Sequence, residues 1–458
     1  MKNNVRRLAY VILTGLVAIC IYLALIPYYL KHAPGSGTLA DPRIAAREKM
    51  IKRGSIFDRE GQVLARSVPQ TAGGFAREYP LGSSAAHIIG YYSAKAGSAG
   101  LEKTRASVLL GLNVGNPFYS LMNRITGKPG VGNDMTLTLD AKLQQYVATL
   151  LNGQKGAAVV LNPATGGILA TASYPNFDPT RVEDYLKQPD SPLLDRALQG
   201  AYPPGSIFKI VTAAGILEDL PGMAGETIHC NGALEVNGFI LKDNAVHGNV
   251  DFKEAFARSC NVAFGSYGLA LGAKDFVNMA GAFGIGVSPD FPLPLYQGYM
   301  PRADELSGPA LASSAIGQGQ VLVSPLQAAL LASAVANGGE IMKPYLISRY
   351  SGPGGFEKTF RPEKWLMPMT PAVAGVIKDE MIAVVQSGTG RAAALPGITV
   401  AGKTGSAENP HGQSHAWFVG FAPAEQPRVV VAVVLENQGS GGAKAAPLAR
   451  EILRRALE

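Results

Sequence analysis

Between residues 8 and 30 no side chain carries a charge. At 1.5 Å per residue, a helix over this run exceeds the ~30 Å of hydrocarbon in a bilayer. No later run is long and apolar enough to do the same. Lys2, Arg6 and Arg7 precede it, Lys31 and His32 follow, and Tyr28 and Tyr29 sit at its far end, where amphipathic rings favour the interface. This balance predicts a cytoplasmic N-terminus with everything after residue 30 outside. A cleaved signal peptide has an apolar core of about 7–15 residues and a small-residue cleavage site. Ile26-Pro27-Tyr28-Tyr29 offers no such site. The run is read as one uncleaved transmembrane helix, residues 8–30, between a cytoplasmic tail, residues 1–7, and a large extracytoplasmic body.

That body is long enough for two or three domains. Only 16% of the 458 residues are charged and 47% are apolar, which excludes a disordered chain. The net charge of +7 is mild and aromatics do not interleave with basic runs, so no nucleic-acid binder is expected. Three cysteines are too few for a disulfide scaffold or a Cys-rich zinc module. Cys20 lies in the span. Cys230 and Cys260 would face an oxidising compartment, where a disulfide and two buried thiols are both open.

Residues 31–45 read as a linker, 46–134 as a small N-terminal domain and 135–458 as the main domain. Within 53–65, two short strands flank a turn at Gly61. Asp140 is a good N-cap for the helix that follows it. Residues 157–162 and 168–173 form a hairpin around Pro163-Ala164-Thr165-Gly166-Gly167. The middle is helix-rich, with a buried helix over 326–336 closed by Asn337-Gly338-Gly339. Runs 398–408, 415–422 and 428–436 are strands, and 446–457 is a closing helix. The fold class is α+β: a mixed sheet assembled from both ends of the domain, flanked by helices, with a helical subdomain.

Prolines and a glycine in Tyr202-Pro203-Pro204-Gly205 announce a helix start, which puts Ser206 at its N-terminus and Lys209 one turn on. That spacing sets an amine on the same face as a hydroxyl. A serine needs a base to be a nucleophile, and a desolvated lysine can be that base. The helix N-terminus also favours developing negative charge. This Ser-x-x-Lys is the only one in the chain. After it come the only Ser-x-Asn, Ser259-Cys260-Asn261, and the only Lys-Thr-Gly, Lys403-Thr404-Gly405.

These three motifs in this order resemble those of serine β-lactamases and penicillin-binding proteins. The chain resembles the class B (monofunctional, high-molecular-mass) penicillin-binding proteins over nearly its whole length. Residues 53–65, Ala315-Ile316-Gly317-Gln318-Gly319 with Ser324-Pro325-Leu326-Gln327, Gly388-Thr389-Gly390, and His415-Ala416-Trp417-Phe418 carry the rest of the likeness. The resemblance implies a transpeptidase domain of β-lactamase-like fold behind a small pedestal. It implies a peptidoglycan D,D-transpeptidase that cross-links stem peptides, releases the terminal D-Ala and is acylated by β-lactams.

By that resemblance Ser206 is the nucleophile and Lys209 its base. Ser259 relays a proton to the leaving amine, and Asn261 holds Lys209 and the substrate amide. Lys403 stays charged and attracts the substrate carboxylate together with Thr404, and Gly405 continues this substrate-binding strand. The backbone N–H groups of Ser206 and Ser406 form the oxyanion hole. Glu102 joins the N-terminal region to the catalytic domain. Position 406 is Ser where Thr is more usual, and Cys260 stands where β-lactamases carry Asp; it is read as a packed thiol. His411 and His415 are four apart, but Gly412 stands where a zinc-binding HExxH needs Glu. No catalytic metal and no organic cofactor are expected. Class B proteins lack their own glycan polymerase, so the resemblance implies a partner, a membrane glycosyltransferase of the SEDS family (RodA/FtsW type). The rival readings are a β-lactamase, a D,D-carboxypeptidase and a catalytically idle scaffold.

Overall fold

A computed structural model describes residues 6–7, 10, 12–22, 51–71, 73–93, 95–112, 130–409 and 412–458. Residues 12–22 of the expected span are helical; much of the rest of it, and the linker at 31–45, lie outside the described residues. No helix among the described residues is long and apolar enough to cross a membrane.

The main domain is built on a five-stranded sheet. Its order is Ala401–Ala407, His415–Ala422, Val429–Leu435, Gly156–Leu161, Ile168–Tyr174, so both ends of the domain meet in one sheet. Every neighbouring pair in it is antiparallel. The central strand Val429–Leu435 is apolar throughout and buried on both faces, as a strand covered on both sides must be. The period-2 alternation then assigns the faces. Ala158, Val160, Phe418, Val431 and Val433 pack against the helices Ala141–Leu151 and Gly441–Leu457. Val159, Trp417, Val419, Ala432 and Val434 join the core of the helical middle. There the helix Pro325–Ala336 is buried nearly all round, which is why its sequence has no polar stripe. A capping box starts it: Gln327 N–H donates to Ser324 Oγ and Ser324 N–H to Gln327 Oε1.

The mixed pairing expected from sequence lies in a second, six-stranded sheet, where Ile56–Phe57 runs parallel to Asp134–Leu137. Its other neighbours are antiparallel. The strand Asp134–Leu137 straddles the expected boundary at 134/135. The sheet also recruits the hairpin Ile347–Gly352 and Phe356–Thr359 from far along the chain. The two regions are therefore interlocked.

Glu102 sits in the N-terminal region, fully buried, between Arg53 Nη2 (3.0 Å) and Arg77 Nε (2.6 Å). Both partners belong to that same region, so Glu102 braces the pedestal internally, which differs from the bridging role expected from sequence. Asp58 is one residue that does bridge the two regions. Its Oδ1 accepts from the N–H groups of Glu60 and Gln62, and its Oδ2 accepts from Ala141 N–H at the start of a main-domain helix, 3.0 Å away.

Candidate active site

Gly205 has φ +56° and its Cα lies so close to the strand Ala401–Ala407 that a Cβ would stand 2.9 Å from Ser406 O. Only glycine meets both demands. Gly205 N–H donates to Gly317 O at 2.8 Å. A Cβ on Gly317, itself at φ +76°, would come within 2.0 Å of Gly205 O. Gln318 Nε2 donates to Ser406 O at 3.3 Å. Ser206 thus starts a tight 3₁₀ turn, Gly205–Phe208, wedged between the 315–319 segment and an edge strand. It is half-buried, and Lys209 opens the α-helix Lys209–Asp219 behind it. Trp417 Nε1–H clamps the approach by donating to Pro203 O at 3.0 Å.

The three motifs converge on one hydroxyl. Ser259 Oγ lies 2.9 Å from Lys403 Nζ and 3.2 Å from Lys209 Nζ. Lys209 also donates to Ser259 O (2.7 Å) and to Asn261 Oδ1 (2.8 Å). Asn261 Nδ2 is held in turn by Lys242 O at 3.0 Å. Ser259 is a non-glycine residue at φ +59°, an uncommon conformation for which its surroundings must compensate. It follows the helix Phe252–Ala257 and precedes Asn261–Ala282, whose N-cap is Cys260.

Both lysines are fully buried. Burial brings Lys209 down to about 7, against partial restoration by Asp243 and Cys260. Lys403 is pushed well below its ordinary value by burial, and further by the neighbouring Lys209. Each ammonium also faces an aromatic ring, Phe264 at 5.4 Å from Lys209 and Phe256 at 5.6 Å from Lys403.

Two expectations change here. Ser206 Oγ and Lys209 Nζ share no hydrogen bond among the described residues, because all three acceptors of Lys209 lie on the second motif. Catalytic contacts of this kind often close only around substrate. Lys403 does not present a free ammonium to the cleft: its Nζ is turned under Ser259 and donates also to Thr404 O at 3.3 Å. Beside it the Thr404 hydroxyl pairs with that of Thr389 at 2.6 Å. Thr389 was noticed in sequence only as part of Gly388-Thr389-Gly390. Gly405 packs against Pro204 O and Trp417, and the Ser406 side chain is exposed. Asp243 was not singled out in sequence; it lies below the site and accepts from Cys260 Sγ–H at 3.0 Å. Cys230 and Cys260 are buried free thiols. His415 opens its strand and packs edge-on to Tyr202 at 5.6 Å between ring centroids. His411 lies outside the described residues.

A serine on a helix-start turn, two buried lysines meeting at a second serine, and an edge strand beside them define a penicillin-recognising serine acyltransferase. The comparisons place it within that class. Residues 156–454 match the family model of the penicillin-binding protein transpeptidase domain, and residues 53–135 that of the penicillin-binding protein A dimerisation domain. The peptidoglycan D,D-transpeptidase PbpA of Mycolicibacterium smegmatis is 34% identical, over 100% of this chain and 99% of that protein. The D,D-transpeptidase domain of a peptidoglycan glycosyltransferase from Eggerthella lenta is 38% identical, with TM-score 0.81, covering 89% of this chain and 98% of that one. The penicillin G acyl-enzyme complex of penicillin-binding protein A from Mycobacterium tuberculosis has TM-score 0.81 at 32% identity, over 89% of this chain and 100% of that one. The chain belongs to the penicillin-binding protein transpeptidases, in their class B branch.

Proposed function

We propose that this protein is a membrane-anchored peptidoglycan D,D-transpeptidase with Ser206 as its nucleophile. The observation that carries the reading is the meeting of Lys209 and Lys403 at Ser259 Oγ beside the Ser206 turn. A neutral Lys209 takes the Ser206 proton as Oγ attacks the carbonyl of the penultimate D-Ala. The tetrahedral oxyanion is held by the N–H groups of Ser206 and Ser406, each such donor contributing roughly 10²–10³ in rate. A hydroxyl has two acceptor sites and one donor. With both acceptor sites of Ser259 facing lysines, its O–H is left to donate to the leaving amine, and Lys209 replaces that proton. The bond to the terminal D-Ala breaks and an acyl-enzyme remains; a second stem's amine then attacks it, the Ser206 ester bond breaks as the cross-link forms, and the amine's proton returns through Lys209 to Ser206 Oγ. The substrate lies along the open edge of Ala401–Ala407 as an added strand. Thr404 and Thr389 read its carboxylate, and Lys403 adds positive potential from beneath when protonated. β-Lactams enter by the same attack.

The span at residues 8–30 would place the body outside the membrane, next to a SEDS-family glycosyltransferase that supplies nascent glycan. Replacing 8–30 with an unrelated span should weaken that complex; unchanged assembly and polymerase activity would remove the helix from the contact.

The test of the enzyme reading is labelling of the detergent-purified full-length protein with a fluorescent penicillin, beside Ser206→Ala. Long-lived label on the wild type and none on the variant is expected. Rapid loss of label with release of hydrolysed drug would make it a β-lactamase, and equal labelling of both proteins would remove Ser206 from its role.

A further inference from the structure

Below the serine–asparagine motif, four side chains from three stretches of chain point at one another. Cys230 ends the strand Ile228–Cys230. Asp243 and His247 stand in the loop between the strands Phe239–Lys242 and Gly248–Val250. Cys260 caps the helix Asn261–Ala282. We propose that Cys230 Sγ, Asp243 Oδ2, His247 Nδ1 and Cys260 Sγ bind one zinc ion that fastens the second motif in place.

The geometry is that of a tetrahedral site. All four donor atoms lie within 4.8 Å of one another. Cys230 Sγ is 3.3 Å from Asp243 Oδ2 and 3.6 Å from His247 Nδ1. Cys260 Sγ is 3.0 Å from Asp243 Oδ2, and His247 Nδ1 is 3.7 Å from that oxygen. Ligands at ordinary zinc–sulfur, zinc–nitrogen and zinc–oxygen lengths span tetrahedral edges of roughly 3.3–3.8 Å. Four of the six edges, at 3.0–3.7 Å, come within about half an ångström of those lengths, and the other two are no longer than 4.8 Å.

The donor set also selects the metal. Two thiols with an imidazole suit zinc, whereas calcium and magnesium require oxygen ligands. The site is closed: both cysteines and the Asp243 side chain are fully buried and His247 is nearly so. A closed shell of four protein ligands marks a structural rather than a catalytic ion. Val262 N–H on Asp243 Oδ2 (3.0 Å) and Asn244 N–H on Oδ1 (2.7 Å) fix the carboxylate from outside. Binding takes one proton from each thiol, so two protons leave as the ion enters, while the carboxylate and the neutral imidazole supply lone pairs.

Cys260 lies between Ser259 and Asn261, so a bond to it restrains both neighbours. Ser259 in particular is held at φ +59°. Without the ion, two thiols in an oxidising compartment are free to form a disulfide instead. The consequence for catalysis rests on the function proposed above; the metal site itself does not.

The test uses the full-length protein, purified in detergent without a metal-affinity step, with elemental analysis and thiol titration. About one zinc per chain is expected, with loss of it in Cys230→Ser and His247→Ala. Ser206→Ala should keep its zinc, which separates failure of this site from failure of the enzyme reading. Exchange into cobalt should produce thiolate-to-cobalt absorption in the wild type, a readout that does not depend on any variant folding. Chelation should slow acylation by fluorescent penicillin, and added zinc should restore it. A chain that takes up no zinc from excess Zn²⁺ while both thiols titrate would overturn the site. So would a mass two hydrogens lower, marking a Cys230–Cys260 disulfide. Bound zinc whose removal leaves acylation unchanged would overturn the fastening role.

Discussion

If Lys209 is the base, acylation must follow the fraction of Lys209 that is a free amine. Full burial places its titration at about 7. The neutral fraction then rises from about 1% at pH 5 to about 9% at pH 6 and about 91% at pH 8, a gain of roughly 90-fold over three pH units that levels off above pH 8. The sign follows from burial disfavouring the charged form: the protonated ammonium cannot accept the Ser206 proton, so activity is lost as pH falls through 7. Because Lys209 and Lys403 meet at one hydroxyl, the observed midpoint belongs to the pair. The assay is the second-order rate constant for fluorescent-penicillin labelling of the full-length protein from pH 5 to pH 10, at constant ionic strength. A lysine at its ordinary value would give a rate still climbing tenfold per unit at pH 9. Such a profile, or one flat from pH 5 to pH 9, would refute Lys209 as a desolvated base.

Three further outcomes follow from single positions. Gly317→Ala places a Cβ 2.0 Å from Gly205 O; the nucleophile turn must shift by more than 1 Å, which should cost about 10²-fold in labelling rate with far-ultraviolet circular dichroism unchanged. Thr389→Val removes the partner of the Thr404 hydroxyl. A lost hydrogen bond of about 1.4 kcal/mol corresponds to about tenfold lower labelling efficiency, measured as rate against penicillin concentration. Glu102→Ala leaves Arg53 and Arg77 as buried cations without their counter-ion. Denaturant titration should show a loss of about 3–5 kcal/mol for the N-terminal region.

The elements closest to legible in the sequence were those set by local chemistry. Asp140 does cap Ala141–Leu151, accepting from Leu143 N–H, because a cap needs only the next three residues. The hairpin strands Gly156–Leu161 and Ile168–Tyr174 were written in apolar runs around a Gly-rich turn, and Val429–Leu435 in an almost unbroken run of valines. The Ile347–Gly352 strand was not foreseen, because its partner Asp134–Leu137 is some two hundred residues away and nothing local announces the pairing. The three catalytic motifs could be found because each is a short fixed spacing. Asp243, His247 and Cys230 have no such spacing with Cys260, so only the fold brings them together.

The same distinction applies to Lys403. The resemblance implied a Lys403 that stays charged and attracts the substrate carboxylate. In the folded chain it is fully buried, 2.9 Å from a hydroxyl that already faces a second buried lysine. Two buried ammonium groups so close together each disfavour the other's charge. In the mechanism proposed above Lys209 is the one that gives up its proton, and Ser259 Oγ is the hydroxyl that both lysines reach. The burial that lowers the proton affinity of both lysines thus suits the site to moving protons. Sequence motifs name the residues of this chemistry, but their protonation is a property of the packing around them: Phe256, Phe264 and the buried start of the helix Asn261–Ala282.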